Sequence, residues 1–306
     1  HYAYLKIAEG CRKHCSYCII PFIKGPLKSK PVNQVLKEMR SLLQQGVKEL
    51  ILIAQDLGDW GKDLGFKDSS GLCHLLKELI KEPSDFQLRL LYLYPDEITE
   101  ELISLIQKSD KIIPYLDMPI QHINDELLKK MYRATSKEMI LSLLSQLRTK
   151  IPNITIRTSL IVGFPSETEE QFQELCDFLK EQQLDNVGVF EYSQEEKSAS
   201  FSFPEQLPDS IKKKRAKKLL SIQKKIVSAK NKKMIGKTIE VVVERYHPDS
   251  KYLLVGRHDG QCPEVDGCVI INDARKVDAF GKRYMVTISE AFEYDLVGSV
   301  INKMNE

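Results

Sequence analysis

Six short apolar runs, with amphipathic stretches between them, fill the first two thirds of the chain and restrict what it can become. The runs lie at 2–8, 49–54, 87–92, 113–117, 154–162 and 186–192. The amphipathic stretches lie at 32–45, 72–81, 99–108, 124–132 with 137–149, and 167–181. The runs are apolar throughout rather than alternating, as parallel strands covered on both faces require. Strands joined by helices cross over with one hand. The pattern therefore predicts an α/β fold, a partial (βα)6 TIM-like barrel that stops short of the eight units of a closed one. Its site belongs at the C-terminal ends of the strands.

Two prolines, Pro204 and Pro208, break the pattern. Residues 211–237 then carry twelve Lys or Arg and no Asp or Glu. Leu219, Ile222 and Ile226 share one helical face there, which reads as a docked helix with a solvated basic side or as a contact for rRNA or tRNA. From Thr238 the runs at 238–245, 252–257, 268–271 and 283–292 are β-rich and separated by turn residues. They predict a small antiparallel β-barrel, with the division at 1–235 and 236–306. Residues 238–306 hold twelve acidic and eight basic residues, a net of −4, and favour a basic partner over an anionic one.

No apolar run approaches the roughly 20 residues of a membrane span, and no signal-peptide pattern opens the chain. The seven cysteines are odd in number in a long chain without a secretory signal. They point to a reducing cytoplasm and to metal or chemistry rather than to disulfides. The chain starts at His1, so an upstream segment is expected.

Three of the cysteines stand together in Gly10-Cys11-Arg12-Lys13-His14-Cys15-Ser16-Tyr17-Cys18, directly after the first strand. Three thiolates on one compact loop suit an iron–sulfur cube and leave one iron open for a chelating ligand. Zinc, with His14 as a fourth ligand, is the competing reading.

The C-x3-C-x2-C loop resembles the signature of radical S-adenosylmethionine (SAM) enzymes. Further segments resemble the methylthiotransferases of that superfamily: residues 10–31 (GCRKHCSYCIIPFIKGPLKSKP), 53–57 (IAQDL), Tyr94-Pro95-Asp96, 115–122 (YLDMPIQH), 156–172 (IRTSLIVGFPSETEEQF) and 188–193 (GVFEYS). Residues 260–271 (GQCPEVDGCVII) resemble the C-terminal TRAM barrel of those enzymes. The resemblance implies a 4Fe–4S cluster on Cys11, Cys15 and Cys18, with SAM chelating the open iron and an external donor supplying the electron. Within the family the likeness is to the branch that adds a methylthio group to an aspartate of a small-subunit ribosomal protein. An acidic barrel agrees with a basic protein substrate. The alternatives are a tRNA adenosine methylthiotransferase and a non-enzymatic RNA- or ribosome-binding protein with structural zinc. Lys24 and Lys30 stand where the family often has Arg, losing bidentate contacts. The family also carries an N-terminal domain with a second cluster, which lies outside this sequence.

By the same resemblance Tyr17, Gln55, Asp56, Gln121, Arg157, Gly163, Glu167 and Tyr192 surround SAM. Each has a plainer reading. Gln55 and Asp56 form a polar loop entry, and Glu167 sits where it favours a helix N-terminus. His122 reads equally as a substrate contact or as a hydrogen-bonded structural residue. Arg157, inside an apolar strand, needs an acidic partner or the SAM carboxylate. Phe190 reads as core packing rather than an adenine contact. Cys73 and Cys176 read as small core residues, and Cys262 and Cys268 as barrel thiols rather than a metal pair. No general base is assigned.

Overall fold

A computed structural model describes residues 1–303 and divides into two compact units, Tyr2–Leu220 and the chain from Ser221 onward together with His1. In the first unit the elements run β1 (Tyr2–Lys6), β2 (Ala8–Glu9), α1 (Ile20–Lys24), β3 (Lys28–Ser29), α2 (Val32–Gln44), β4 (Glu49–Ile53), α3 (Ser70–Ile80), β5 (Gln87–Leu90) and α4 (Glu100–Lys108). They continue with β6 (Ile112–Asp117), α5 (Asp125–Lys130), α6 (Lys137–Lys150), β7 (Thr155–Val162), α7 (Glu169–Gln182) and β8 (Asn186–Glu191). Each of the six expected strands has its counterpart.

The six long strands form one sheet in the order β1-β4-β5-β6-β7-β8, parallel throughout. Apart from the small β2–β3 pair, the order follows the chain without reversal. Crossovers of one hand then put every connecting helix on the same face. Because the strands are parallel, all six C-terminal ends lie along one rim of the sheet. Leu50, Ile51 and Leu52 of β4 are fully buried, as are Leu88 and Leu90 of β5. Arg89 is fully buried too, donates to Glu49 at 2.7 Å and stacks on Tyr115 at 4.6 Å. A charge is tolerated inside the sheet because an acid and a ring face it.

Helix starts follow their caps. Thr99 accepts from Leu102 N–H, Asn124 from Leu127 N–H and Ser136 from Met139 N–H. Thr168 and Gln171 form a reciprocal capping box, so α7 begins at Glu169 rather than at Glu167. Cys73 and Cys176 are buried on α3 and α7.

Helix α8 (Asp209–Lys232) crosses the division between the units, which falls at Leu220/Ser221 inside the helix. Leu219 and Ile226 are buried on it. The second unit closes a five-stranded barrel from β9 (Thr238–His247), β10 (Ser250–Arg257), β11 (Val269–Asp273), β12 (Lys282–Ala291) and β13 (Leu296–Lys303), in the order β10-β11-β13-β12-β9. The barrel is mixed, not antiparallel as expected, because β11 pairs with β13 in parallel. The sequence reading lacked β13, whose apolar run is broken by Gly298 and Ser299. That strand turns back on β12 and fits between it and β11, and its direction forces the parallel pair. Val241, Val243, Tyr284, Val286 and Ile288 are among the side chains that fill the interior. No helix among the described residues is long and apolar enough to cross a membrane.

Glycine at 298 is a steric requirement. A Cβ there would lie 2.6 Å from the Thr287 carbonyl oxygen. Gly298→Ala is expected to cost the barrel about 1–3 kcal/mol, seen as a lower urea midpoint. An unchanged midpoint would mean that the strands separate freely at this point.

Candidate active site

The cysteine loop runs from β2 to α1 across the rim. Gly10 begins it at φ 76°, where a Cβ would sit 2.1 Å from the Pro26 carbonyl oxygen. Cys11 N–H donates to Gly25 O at 3.2 Å, and Cys18 N–H to Cys15 O at 3.0 Å. Ser16 clamps the middle. Its N–H donates to Met131 O at 3.1 Å, its hydroxyl to Lys130 O at 2.7 Å, and its carbonyl accepts from Ser200 N–H at 2.8 Å. A loop of this length holds a shape only when its backbone groups are satisfied in this way.

Cys11, Cys15 and Cys18 are all free thiols. Lys13 N–H points at the Cys11 sulfur and Ile20 N–H at the Cys18 sulfur, each at 3.4 Å. Cys15 Sγ lies 3.5 Å from the Tyr94 hydroxyl and 3.8 Å from Arg133 Nη1. Burial pushes the Cys11 thiol up to about 11 and raises that of Cys18, so these protons leave when a metal displaces them. Cys11 and Cys18 line a cavity of about 370 Å³ together with Gln55, Tyr92 and Tyr94.

The donor set distinguishes a cluster from a lone ion. Thiolates on one tetrahedral zinc at 2.3 Å stand about 3.8 Å apart. Among the described residues, the group of three potential ligand atoms gathered within 4.8 Å of one another is Asp56, Asp59 and Glu97, not the cysteines. His14, the fourth ligand of the zinc reading, is exposed. The thiols therefore suit a wider cube. Gln55 supplies a second observation: its Oε1 is buried and, among the described residues, has no hydrogen-bond partner. A bare acceptor beside two of the thiols fits an ammonium donor from a bound ligand.

Asp56 does something else. It caps the turn after β4 by accepting from Gly58 N–H at 3.0 Å and faces Lys13 at 3.5 Å. Lys13, from inside the cysteine loop, also meets Asp59 at 3.9 Å, Asp96 at 3.5 Å and Glu97 at 2.6 Å. Lys62 adds contacts to Asp59 at 2.8 Å and Glu97 at 2.6 Å. Two ammonium groups thus fill the space among the carboxylates. Burial pushes the Asp56 carboxyl up to about 7 against the pull of Lys13. Burial also opposes charge on Glu97, but Lys13, Lys62 and Ser69 all bond to it and hold its carboxyl low.

The other expected SAM contacts do not line this cavity. Tyr17 packs beside Tyr192 with Leu127, Met131 and Phe164. Gln121 takes a left-handed backbone, φ 68°, and bridges to Leu160. Arg157 donates to Asp117 at 3.1 Å. Glu167 accepts from Gly163 N–H and from Arg215 at 2.7 Å, and lies 3.3 Å from His122 Nε2. It therefore joins the turn after β7 to α8. Since Asn124 N–H donates to His122 Nδ1 at 3.0 Å, the ring proton is assigned to Nε2, facing Glu167. Tyr192 is buried and bonds Ser200 at 2.8 Å. Phe190, expected in the core, is 55% exposed. Lys24 and Lys30 make single contacts, with Glu9 and Glu38. Nothing beside Arg133 in the sequence marks it, and Lys13, though it lies between Cys11 and Cys15, shows no sign there of its carboxylate partners.

Two outcomes follow from the lysine–carboxylate cluster. Lys13→Met leaves buried acids undercompensated and is expected to destabilise the chain by about 3 kcal/mol, measured by urea unfolding at neutral pH. Asp56 binds its proton more tightly folded than unfolded, so its contribution is full below 3.8 and is lost as pH rises toward 7. Asp56→Asn is expected to flatten the fall in unfolding free energy across that window. A wild-type slope in the variant would contradict this origin.

A family model described as the radical SAM superfamily matches residues 5–179, and one described as the TRAM domain matches residues 235–301. A ribosomal protein uS12 methylthiotransferase RimO of Protochlamydia amoebophila is 60% identical over 98% of this chain and 63% of that protein. Its namesake in Chlamydia abortus is 57% identical over 99% of this chain and 66% of that protein. For Natranaerobius thermophilus the figures are 43%, 99% and 67%. The chain thus spans 63–66% of the length of the first two relatives. Among solved structures, TsrM of Kitasatospora setae, a radical S-adenosylmethionine methyltransferase with cobalamin and a 4Fe-4S cluster bound, gives a TM-score of 0.51 at 20% identity, covering 62% of this chain and 34% of that one. Methylornithine synthase (PylB) gives 0.50 at 12%, covering 72% and 62%. At such identities the likeness is one of fold. The chain belongs to the radical SAM superfamily, and its relatives place it among the methylthiotransferases.

Proposed function

We propose that this chain is the catalytic core and barrel of an enzyme that adds a methylthio group to an aspartate of ribosomal protein uS12. The observation that carries the reading is 60% identity over 98% of the chain to a protein of that name, joined to a thiol loop beside an open cavity. Cys11, Cys15 and Cys18 hold a 4Fe–4S cluster and leave one iron free for SAM. When bound, that pair supplies one-electron cleavage of SAM to a carbon radical that abstracts hydrogen from an unactivated carbon.

The chain's own residues bind, orient and enclose. Gln55 accepts from the amino group of SAM on the cavity wall. Tyr92 and Tyr94 close that wall and limit water. Gln121 follows the end of β6, and Arg157 lies inside the neighbouring β7, paired with Asp117 at the end of β6. Asp56, Gly163, Glu167, Tyr17 and Tyr192 act one step back, fixing the loops that carry the others. The acidic barrel suits a basic protein substrate. The basic helix suits rRNA beside it: Lys213, Lys214, Lys217 and Lys225 are exposed, with no ion pair among the described residues. The electron comes from an external donor, and the work is done on ribosomal material in the cytoplasm. The second cluster of the longer family members is the expected sulfur source.

Anaerobic reconstitution is expected to load about four irons per chain, and Cys→Ala at 11, 15 or 18 to abolish the visible cluster absorption. Full-length enzyme should then add one methylthio group to uS12, detected by mass spectrometry, and leave tRNA unchanged. Modified tRNA with unmodified uS12 would move the enzyme to the nucleic-acid branch. A colourless protein with stoichiometric zinc would sink the radical reading.

A further inference from the structure

Two cations meet the cysteine loop, half-buried Lys13 within it and buried Arg133 beside it, and they are not equivalent. Lys13 is surrounded by Asp56, Asp59, Asp96 and Glu97, which consume its charge. Arg133 is 7% exposed and has no carboxylate within ion-pair distance among the described residues. Its guanidinium donates to Pro119 O at 2.7 Å, sits over the Tyr94 ring at 3.8 Å, and points Nη1 at Cys15 Sγ across 3.8 Å. A neutral carbonyl and an aromatic face do not neutralise a cation taken out of water. Burial pushes the neighbouring Tyr17 and Tyr94 phenols up and keeps them neutral, so the Cys15 sulfur is the group beside it that metal binding turns into an anion. The structure therefore holds a cation ready for a thiolate at this corner.

We propose that Arg133 is the counter-ion of Cys15 in the iron-loaded protein, a positioning residue that retains that thiolate and raises the cluster's reduction potential. This rests on the reading of the three cysteines as cluster ligands. A cube held by three thiolates is net negative and gains one more negative charge on reduction. A fixed cation beside it, donating N–H to sulfur, therefore favours the reduced form. Tyr94, whose hydroxyl lies 3.5 Å from the same sulfur, completes the contact and carries the guanidinium over its ring.

The test is the cluster's midpoint potential, followed by electron paramagnetic resonance without SAM in the reconstituted chain. Arg133→Met is expected to keep its iron but to bind the electron at least tenfold more weakly, a fall of about 59 mV for a one-electron couple. Arg133→Lys, which keeps the charge, should recover more than half of that fall. Should the Met variant not fold, Arg133→Gln carries the same measurement, retaining an amide donor without charge. Loaded neutral variants at the wild-type potential, or an Arg133→Lys fall as large as that of the neutral variant, would overturn the proposal. A wild-type chain that binds no cluster would remove the anion and overturn the ligand reading with it, so the two failures are distinct.

Discussion

Parallel pairing in chain order is the constraint on which the first unit depends. With β1, β4, β5, β6, β7 and β8 each beside its successor, crossovers of one hand stack the helices on one face. Every strand then delivers its following loop to a single rim. Residues separated by more than a hundred positions meet there: Cys15 from the loop after β2, Tyr94 from the loop after β5, and Arg133 from beyond α5. None of the three elements creates this meeting alone. A sheet with a reversal in strand order would place some of these loops on the opposite side of the switch point.

Around the loop, structure is maintained largely by charge balance in a dry place. Lys13 and Lys62 lie among Asp56, Asp59 and Glu97, all three of them buried acids. Such a cluster is costly to desolvate and becomes tolerable only when every member has a partner. It resembles a cation site in ligand type, yet the ammonium groups already occupy it. Its role is to hold the middle of the cysteine loop against the turn after β4. That same turn carries Gln55 to the cavity.

The second unit solves a different problem. A small barrel leaves edges unless its last strand closes it. Here β13 does so by pairing with β12 on one side and β11 on the other. Thr287 and Val286 approach so closely that Gly298 has no room for a side chain. A glycine that weakens the sequence signal for a strand is therefore what lets that strand fit.

The sequence alone determined much of this protein: six strand–helix units, the basic helix, the β-rich ending and three thiols after the first strand. Those signals are local, arising from periodicity, charge runs and spacing along the chain. It also suggested residues for the rim, because a strand's C-terminal end is a position in the chain. Tertiary structure alone decided which rim residues face the cavity. Gln55 does, while its neighbour Asp56 turns back to Lys13 and Glu167 turns to Arg215. Direction depends on partners brought from distant elements, and no spacing rule encodes them. The same holds for Arg133, an ordinary residue after a short helix until folding buries it against Cys15 and Tyr94. Burial and neighbouring charge are properties of the packed state, so the chemistry they confer appears only there.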